Sequence, residues 1–172
     1  EKDLLDTGGG VKNCEEFLAD APVLLANADI VADVDIPRLL RFHEARGAAL
    51  TLVTVPHANA NEIAPITIGD DDAIVDINRT FDKKSTGKHL YAGIAVFEPE
   101  LFTYLKKEPS SIVYTGYTGM IAAGKRVCAY IHEDRWYDCG TPESYAAVNR
   151  AVAIDAWHWS KLLRPEIEVL RL

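Results

Sequence analysis

Alternating apolar and polar segments in the first third of the chain predict a strand, a helix and a second strand. The run 22–27 (PVLLAN) is apolar and bounded by polar residues, as in a strand buried on both faces. Asp35 and Pro37 favour a helix start, and Gly47 favours its end. The β-rich run 49–56 follows. A strand, a helix and a strand in this order indicate the βαβ unit of a parallel sheet.

The rest of the chain predicts a hairpin and several short elements. Two alternating runs flank the acidic segment 70–72, which indicates a half-exposed hairpin with a solvated turn. The segment 141–143 (TPE) favours a helix start, with a hydroxyl cap, a proline and an acid in its first turn. We expect strands at 90–97, 126–132 and 135–138, and helices at 99–107, 111–123 and 142–157. These elements predict one α/β domain over residues 1–172 with a mixed sheet.

Composition limits the classes of protein that remain. With 172 residues, of which 48% are hydrophobic, the chain is long enough for one sizeable core. Its net charge of -8 argues against a nucleic-acid partner, because a negative surface repels phosphate backbones. No apolar run approaches the roughly 20 residues that span a bilayer, so no membrane partner is expected. Three widely spaced cysteines without a CxxC pair favour a reducing cytoplasm over a disulfide framework or a zinc cluster.

A glycine-rich segment, Thr7 to Lys12 (TGGGVK), precedes a helix that we expect over 11–18. Glycines let a backbone approach a ligand closely, and the free N–H groups of a helix N-terminus favour an anion or a base carbonyl. The segment matches neither GxGxxG nor GxxxxGK[ST], so it predicts neither a dinucleotide fold nor a P-loop. A flexible loop is the alternative interpretation.

Two aspartates follow predicted strands at points where α/β sheets bind ligands. Asp29 comes directly after the strand 22–27, and Asp138 lies at a second strand-to-helix junction beside Gly140. Carboxylates at such a point suit Mg²⁺, which takes one or two acids together with phosphate oxygens. A loop-capping role is the alternative for both residues. By contrast, Asp35 is expected to cap a helix.

The five histidines show no spacing typical of metal ligands. His43 falls on the inner stripe of the helix after Asp35, together with Ile36, Leu39 and Leu40, and a core histidine is the expected result. The motif GxSxG is absent, and no Ser-His-Asp or Cys-His arrangement is supported.

Four segments, in this order and spacing, resemble the sugar-1-phosphate nucleotidyltransferases. They are LLDTGGGVK (4–12), PVLLANADI (22–30), HLYAGIAVF (89–97) and WYDCGTPESY (136–145). The resemblance covers roughly residues 4–150 and points to the N-acetylmuramate- and mannose-1-phosphate types. It implies a three-layer α/β/α Rossmann-like fold with a mixed, mainly parallel sheet, in a cytoplasmic enzyme of nucleotide-sugar and cell-wall biosynthesis.

The resemblance also implies a reaction, in which the phosphate of a sugar 1-phosphate attacks the α-phosphorus of a nucleoside triphosphate and pyrophosphate leaves. UTP is favoured as the nucleotide, with GTP next. Because the attacking phosphate is already anionic near neutral pH, no general base is needed, and catalysis consists of positioning and charge neutralisation. Asp29 and Asp138 would hold the Mg²⁺ ion that stabilises the developing charge.

The same resemblance implies the other substrate contacts. Thr7, Gly8 and Gly9 match the segment that contacts the nucleobase. Asn27 and Gly93 match positions that bind substrate, the glycine with its backbone against the sugar. A further contact falls on the FDKK segment, at Lys83 or Lys84, where the family commonly has Glu-Lys-Pro and its lysine contacts the sugar phosphate. The departure from Glu-Lys-Pro weakens this last assignment.

The front of the chain departs from the family. Members begin with a strand and a loop of the type GxGTRLxPxTxxxPKP, which cradles the triphosphate, and nothing here matches it. We therefore expect an N-terminally truncated form of the fold: a fragment, an internally truncated product or a degenerate relative.

Two alternative functions stay open from the sequence. One is a non-catalytic nucleotide-sugar-binding or regulatory protein on the same fold. Another is an NAD-dependent oxidoreductase, which is disfavoured because no strand precedes the glycines. The apolar end 157–172 is expected to be a C-terminal helix or tail that forms a homo-oligomer interface, packs internally or leads to a further domain.

Overall fold

The structure is a computed structural model and describes residues 4–154. Its helices are α1 (Asp6–Asn13), α2 (Glu15–Leu18), α3 (Ile36–Ala45), α4 (Ala60–Ile63), α5 (Thr118–Ala122) and α6 (Pro142–Ile154). Its strands are β1 (Val23–Ala26), β2 (Ile30–Ala32), β3 (Leu50–Pro56), β4 (Ile66–Ile68), β5 (Ile74–Ile77), β6 (His89–Phe97), β7 (Val127–Ile131) and β8 (Trp136–Asp138). The described residues form two compact units, a larger one of 4–27 and 34–133 and a smaller one of 28–33 and 134–154. The single domain expected over 1–172 stays a prediction.

The larger unit is built on a mixed sheet with the strand order β5-β4-β6-β3-β7, and β1 also pairs with β6. Among the described residues β3 and β7 form the one parallel pair, and the other ladders of this sheet are antiparallel. The mixed sheet is therefore confirmed, but its pairings are not mainly parallel. The expected βαβ unit is wrong in one respect, because β6 lies between β1 and β3 and pairs antiparallel with both.

Both faces of this sheet are covered, which gives the three layers that the resemblance implied. On one face, the buried His43 of α3 reaches the hydroxyl of Thr51 in β3, with Nδ1 and Oγ1 2.8 Å apart. On the other face, Leu50 and Leu52 belong to a buried cluster that includes Leu101 and Tyr117. Neighbouring residues of a strand point to opposite faces, so β3 is buried on both sides.

Most predicted boundaries agree with the structure, and the differences have local causes. Asp35 caps α3, with its Oδ1 accepting a hydrogen bond of 2.9 Å from the Arg38 N–H. The helix expected at 99–107 is a short 3-10 helix, Pro99–Tyr104. The helix expected at 111–123 begins as a π-helical turn, Val113–Tyr117, before α5. A Cβ at Gly116 would lie 3.0 Å from both Leu101 and Leu105, so the missing side chain lets these segments pack closely.

The smaller unit is a two-stranded antiparallel ribbon followed by a helix. Strand β2 pairs with β8 in a register that joins Ile30 to Asp138. The Oγ1 atom of Thr141 accepts a hydrogen bond of 3.1 Å from the Ser144 N–H, which confirms the predicted cap of α6. The end expected for α6 near Trp157, and the apolar segment 157–172, lie outside the described residues. None of the helices within residues 4–154 has both the length and the apolar character that a bilayer crossing requires.

Candidate active site

The smaller unit brings Asp29 and Asp138 together, although 109 positions separate them in the sequence. Asp29 immediately precedes β2, and Asp138 ends β8, opposite Ile30. The backbone N–H of Cys139 donates a hydrogen bond of 2.7 Å to the carbonyl oxygen of Asp29. The antiparallel ladder therefore places both carboxylates at one end of the ribbon.

Gly140 lies beside both carboxylates. Its N–H donates a hydrogen bond of 2.8 Å to Oδ1 of Asp138. A Cβ built on Gly140 would lie 3.0 Å from Asp138 Oδ1 and 3.6 Å from Asp29 Oδ2, so both side chains border the same point in space. A side chain at position 140 would occupy this point, and glycine keeps it open.

The charge of this pair is not neutralised by side chains in the described part of the protein. Asp29 and Asp138 are both exposed, and neither forms an ion pair with a lysine or arginine among residues 4–154. No group of three His, Cys, Asp or Glu side chains there converges as a metal site. Two carboxylates are hard oxygen donors, and they fit a cation that completes its coordination with water and ligand oxygens.

The TGGG segment has a different local structure from the one we expected. The predicted helix 11–18 is divided at Cys14, and its first part, α1, begins already at Asp6 and includes the glycines. Gly8 and Gly9 are buried, and a Cβ on Gly9 would lie only 2.3 Å from the Glu108 carbonyl oxygen. These glycines allow close packing against the segment 108–112.

Thr7 also takes part in this packing. The Ile112 N–H donates a hydrogen bond of 3.0 Å to the Thr7 hydroxyl, and the Gly8 N–H donates one of 2.6 Å to the Ser110 carbonyl. The close contact of the glycines thus has a packing explanation, while a role of Thr7, Gly8 and Gly9 in binding a nucleobase stays a prediction.

Asn27 and Gly93 are neighbours in the larger unit. The Asn27 N–H donates a hydrogen bond of 2.8 Å to the Gly93 carbonyl oxygen, which extends the β1–β6 ladder. Gly93 has a φ of +77°, in the left-handed region that favours glycine, where the β3–β6 register shifts. Glycine is thus required at the irregularity beside Asn27, which is itself exposed.

Lys83 and Lys84 are exposed on a loop that a buried carboxylate organises. Asp76, 2% exposed, accepts hydrogen bonds from the N–H groups of Thr80 (2.8 Å) and Asp82 (3.0 Å). Burial alone would raise the pKa of Asp76, but hydrogen bonds from the Asp82 backbone and other loop donors outweigh it and lower the pKa below its usual value. Within residues 4–154, neither Lys83 nor Lys84 forms a hydrogen bond with Asn27 or Gly93.

Asp76 is a residue that the sequence interpretation missed, although a single acid in an otherwise apolar strand was a usable signal. The hairpin predicted around the acidic turn 70–72 is confirmed, since β4 and β5 pair antiparallel, but the turn is not only solvated. Arg46 pairs with both Asp71 and Asp72, and Arg126 pairs with Asp71 at 2.9 Å. These ion pairs attach the hairpin to α3 and to the segment before β7.

Comparison with known proteins identifies similar chains. The family model described as "Nucleotidyl transferase" matches residues 1–154. A mannose-1-phosphate guanyltransferase of Candida albicans is 28% identical over 149 residues, which cover 84% of this chain and 41% of that protein. A probable glucose-1-phosphate cytidylyltransferase of Bacillus subtilis is 23% identical over 145 residues, with coverage of 84% and 54%.

The fold is also similar to a solved structure. The crystal structure of an apo UDP-glucose pyrophosphorylase superposes with a TM-score of 0.72 at 17% identity, over 90% of this chain and 62% of that one. At this identity the likeness shows the α/β fold. This chain spans less than two thirds of the length of each of these three proteins.

Proposed function

The chain belongs to the nucleotidyl transferase family, and from this premise we propose that it takes part in joining a nucleotide to a sugar 1-phosphate with release of pyrophosphate. The observation that carries the proposal is the pair Asp29 and Asp138, two carboxylates without an ion-pair partner in residues 4–154 that border the same point beside Gly140. The activities named for the relatives, guanyl transfer to mannose 1-phosphate and cytidylyl transfer to glucose 1-phosphate, support the same class of reaction.

In this proposal Asp29 and Asp138 hold Mg²⁺. The donor set fits, because Mg²⁺ is commonly bound by one or two carboxylates and takes its other ligands from water and substrate phosphates. When bound, the ion supplies electrostatic stabilisation of the charge that develops on phosphate oxygens. The ribbon contributes preorganisation, since the Cys139 N–H joins the backbone to that of Asp29 and the Gly140 N–H orients the Asp138 carboxylate.

The remaining substrate contacts are proposed from the resemblance to the family. Thr7, Gly8 and Gly9 contact the nucleobase, and the backbone around Gly93 lies against the sugar, with Asn27 beside it. Lys83 or Lys84 neutralises the sugar phosphate. Support for a lysine contact is that both ammonium groups are carried by a loop that Asp76 holds in a fixed conformation. Positioning and charge neutralisation suffice for a nucleophile that is already anionic.

The nucleotide is proposed from the relatives together with the sequence. The TGGG segment favours UTP, whereas the first of the relatives above transfers a guanyl group. We place GTP ahead of UTP on this ground.

A cytoplasmic location is proposed because Cys14, Cys128 and Cys139 are all free thiols, as is typical of a reducing compartment.

A direct test measures Mg²⁺-dependent pyrophosphate release by the protein with GTP or UTP and a hexose 1-phosphate. Asp138→Asn should reduce the rate by at least about a hundredfold, in the range typical of lost electrostatic stabilisation. Asp134→Asn is the matched control, because Asp134 is an exposed aspartate of the same unit. Wild-type-like turnover in Asp138→Asn would refute the metal assignment. Nucleotide binding without turnover by the wild-type protein would favour the non-catalytic alternative.

A further inference from the structure

Two adjoining cavities of the larger unit lie at the carboxyl end of β3, and none of the residues assigned above lines them. Their volumes are about 320 and 410 Å³, and they share Asn61, Gly87 and Lys88 in their walls. His57 lines one cavity and His89 the other. The volumes are at the lower end of the range of small-molecule sites in proteins.

The wall of this cleft, as we call the two cavities together, is held rigidly. The Gly87 N–H donates a hydrogen bond of 3.0 Å to Oδ1 of Asn61, and the His57 N–H donates one of 2.9 Å to the Lys88 carbonyl. A Cβ on Gly87 would lie 2.1 Å from the carbonyl oxygen of Ile66, so the backbone here packs directly on β4. Such preorganisation lowers the entropic cost of binding a ligand.

The hydrogen bonds of the wall show which polar atoms of the cleft can still donate to a ligand. Since Oδ1 of Asn61 accepts the Gly87 N–H, its amide Nδ2 makes no further hydrogen bond within residues 4–154. Nδ1 of His57 accepts the Asn59 N–H at 3.1 Å, so in the neutral ring the proton is on Nε2. The Lys88 ammonium forms no ion pair in the described part of the chain. The cleft is therefore lined by three residues with a donor that can reach a ligand: Asn61, His57 and Lys88.

The charge around the cleft is unusual for this protein. The chain carries a net charge of -8, yet no Asp or Glu lines either cavity. Burial lowers the pKa of His89, Glu133 opposes this and Lys88 adds to it, so His89 is largely neutral near pH 7. Lys88 is then the charged group of the cleft, and the others are neutral hydrogen-bonding groups.

We propose that this cleft binds an oxyanion of the phosphate class, with the Lys88 ammonium and the Asn61 amide as its main partners. A charge-assisted hydrogen bond from a lysine together with neutral donors in a preformed wall is a recognised way to hold such a group. The ligand is inorganic phosphate or the phosphate of a sugar phosphate. The proposal involves neither the aspartate pair nor the nucleotide, and its failure would leave the proposed function untouched.

The test is a ¹H–¹⁵N NMR titration of the full chain with inorganic phosphate at constant ionic strength, without nucleotide or divalent metal. Saturable shifts should be centred on the Gly87 N–H and the Asn61 side-chain amide. Asn61→Asp keeps the oxygen that accepts the Gly87 N–H, but it replaces the free donor with a negative charge. This variant should bind phosphate at least about tenfold more weakly.

Lys88→Gln is the second variant, and as a change at an exposed side chain it keeps the test valid if Asn61→Asp fails to fold. It should weaken binding severalfold, whereas Lys106→Gln, the same change at an exposed lysine outside the cleft, should leave binding unchanged. Tighter binding of a hexose 1-phosphate than of phosphate would identify a sugar phosphate as the ligand, and equal or weaker binding would identify free phosphate. No saturable binding, or equal affinity in wild type and Lys88→Gln, would overturn the proposal.

Discussion

The backbone N–H of Cys139 donates a hydrogen bond of 2.7 Å to the carbonyl oxygen of Asp29. This bond joins the end of β8 to the residue before β2, although the two segments are far apart in the sequence. The carboxylates of Asp29 and Asp138 both lie within 4 Å of the point that a Cβ on Gly140 would occupy. Because Asp29 directly precedes the antiparallel ladder and Asp138 ends it, backbone hydrogen bonds set the positions from which the two side chains extend.

Substitution of Gly140 should impair function more than folding. In Gly140→Ala the new Cβ would lie 3.0 Å from Asp138 Oδ1, which is tighter than ordinary packing, and 3.6 Å from Asp29 Oδ2. Asp138 is exposed and can move aside, so we expect a loss of stability below about 1 kcal/mol, as for most surface changes. Mg²⁺-dependent pyrophosphate release should fall at least about tenfold. Urea unfolding and the rate assay measure the two effects.

Gly47→Ala is the matched control for that variant. Gly47 has a φ of +55°, and a Cβ added there would meet nothing within 4 Å, so the cost is backbone strain alone. Stability should fall by about 1 kcal/mol while the activity per folded molecule stays unchanged. A larger activity loss in Gly47→Ala than in Gly140→Ala would contradict the role given to the open space beside Gly140.

Gly9→Ala should show that the TGGG glycines are required for packing. Its Cβ would lie 2.3 Å from a backbone carbonyl, that of Glu108, and backbone cannot move aside as cheaply as a side chain. We expect a destabilisation of about 1–3 kcal/mol, the usual cost of overpacking. Thermal unfolding without any ligand is the measurement. An unchanged melting temperature would mean that α1 does not pack against the segment 108–112 as described.

The sequence could predict the positions of the two aspartates, because Asp29 follows an apolar strand, β1, and Asp138 stands at the junction of β8 and α6, which local signals mark clearly. It could not predict β2, which is three residues long and only partly buried. The insertion of β6 between β1 and β3 was also hidden, since strand order depends on contacts between distant segments. The helix through the glycines follows from close packing on Glu108, which overrides the usual preference of glycine for loops.

Asp76→Asn should loosen the loop that carries Lys83 and Lys84. Oδ1 and Oδ2 of Asp76 both accept backbone hydrogen bonds, and an amide cannot accept at both positions. We expect a loss of about 2 kcal/mol at pH 7, the typical contribution of hydrogen bonds to a charged group. Asp20→Asn, at an exposed aspartate, should be neutral.

The effect of Asp76 on stability should also depend on pH. The pKa of this carboxyl is lower in the folded chain than in the unfolded chain, so the unfolded state binds more protons as the pH falls. The stabilisation is therefore complete above about pH 4 and disappears as the pH falls through the folded-state pKa. Urea unfolding of wild type and Asp76→Asn should be measured between about pH 7 and pH 2.5. The difference between their free energies of unfolding should become smaller toward the acidic end of this range. A difference that grows as the pH falls through this range would contradict the direction of the shift.

The claim that Asp29 and Asp138 act as one unit is tested most directly by a double-mutant cycle on Mn²⁺ affinity, measured by electron paramagnetic resonance with GTP present. If both carboxylates hold the same ion, Asp29→Asn and Asp138→Asn should each weaken binding at least about tenfold, and the double variant should lose much less than the product of the two. Independent, multiplicative losses, or an unchanged affinity in either single variant, would show that the two aspartates do not share a metal.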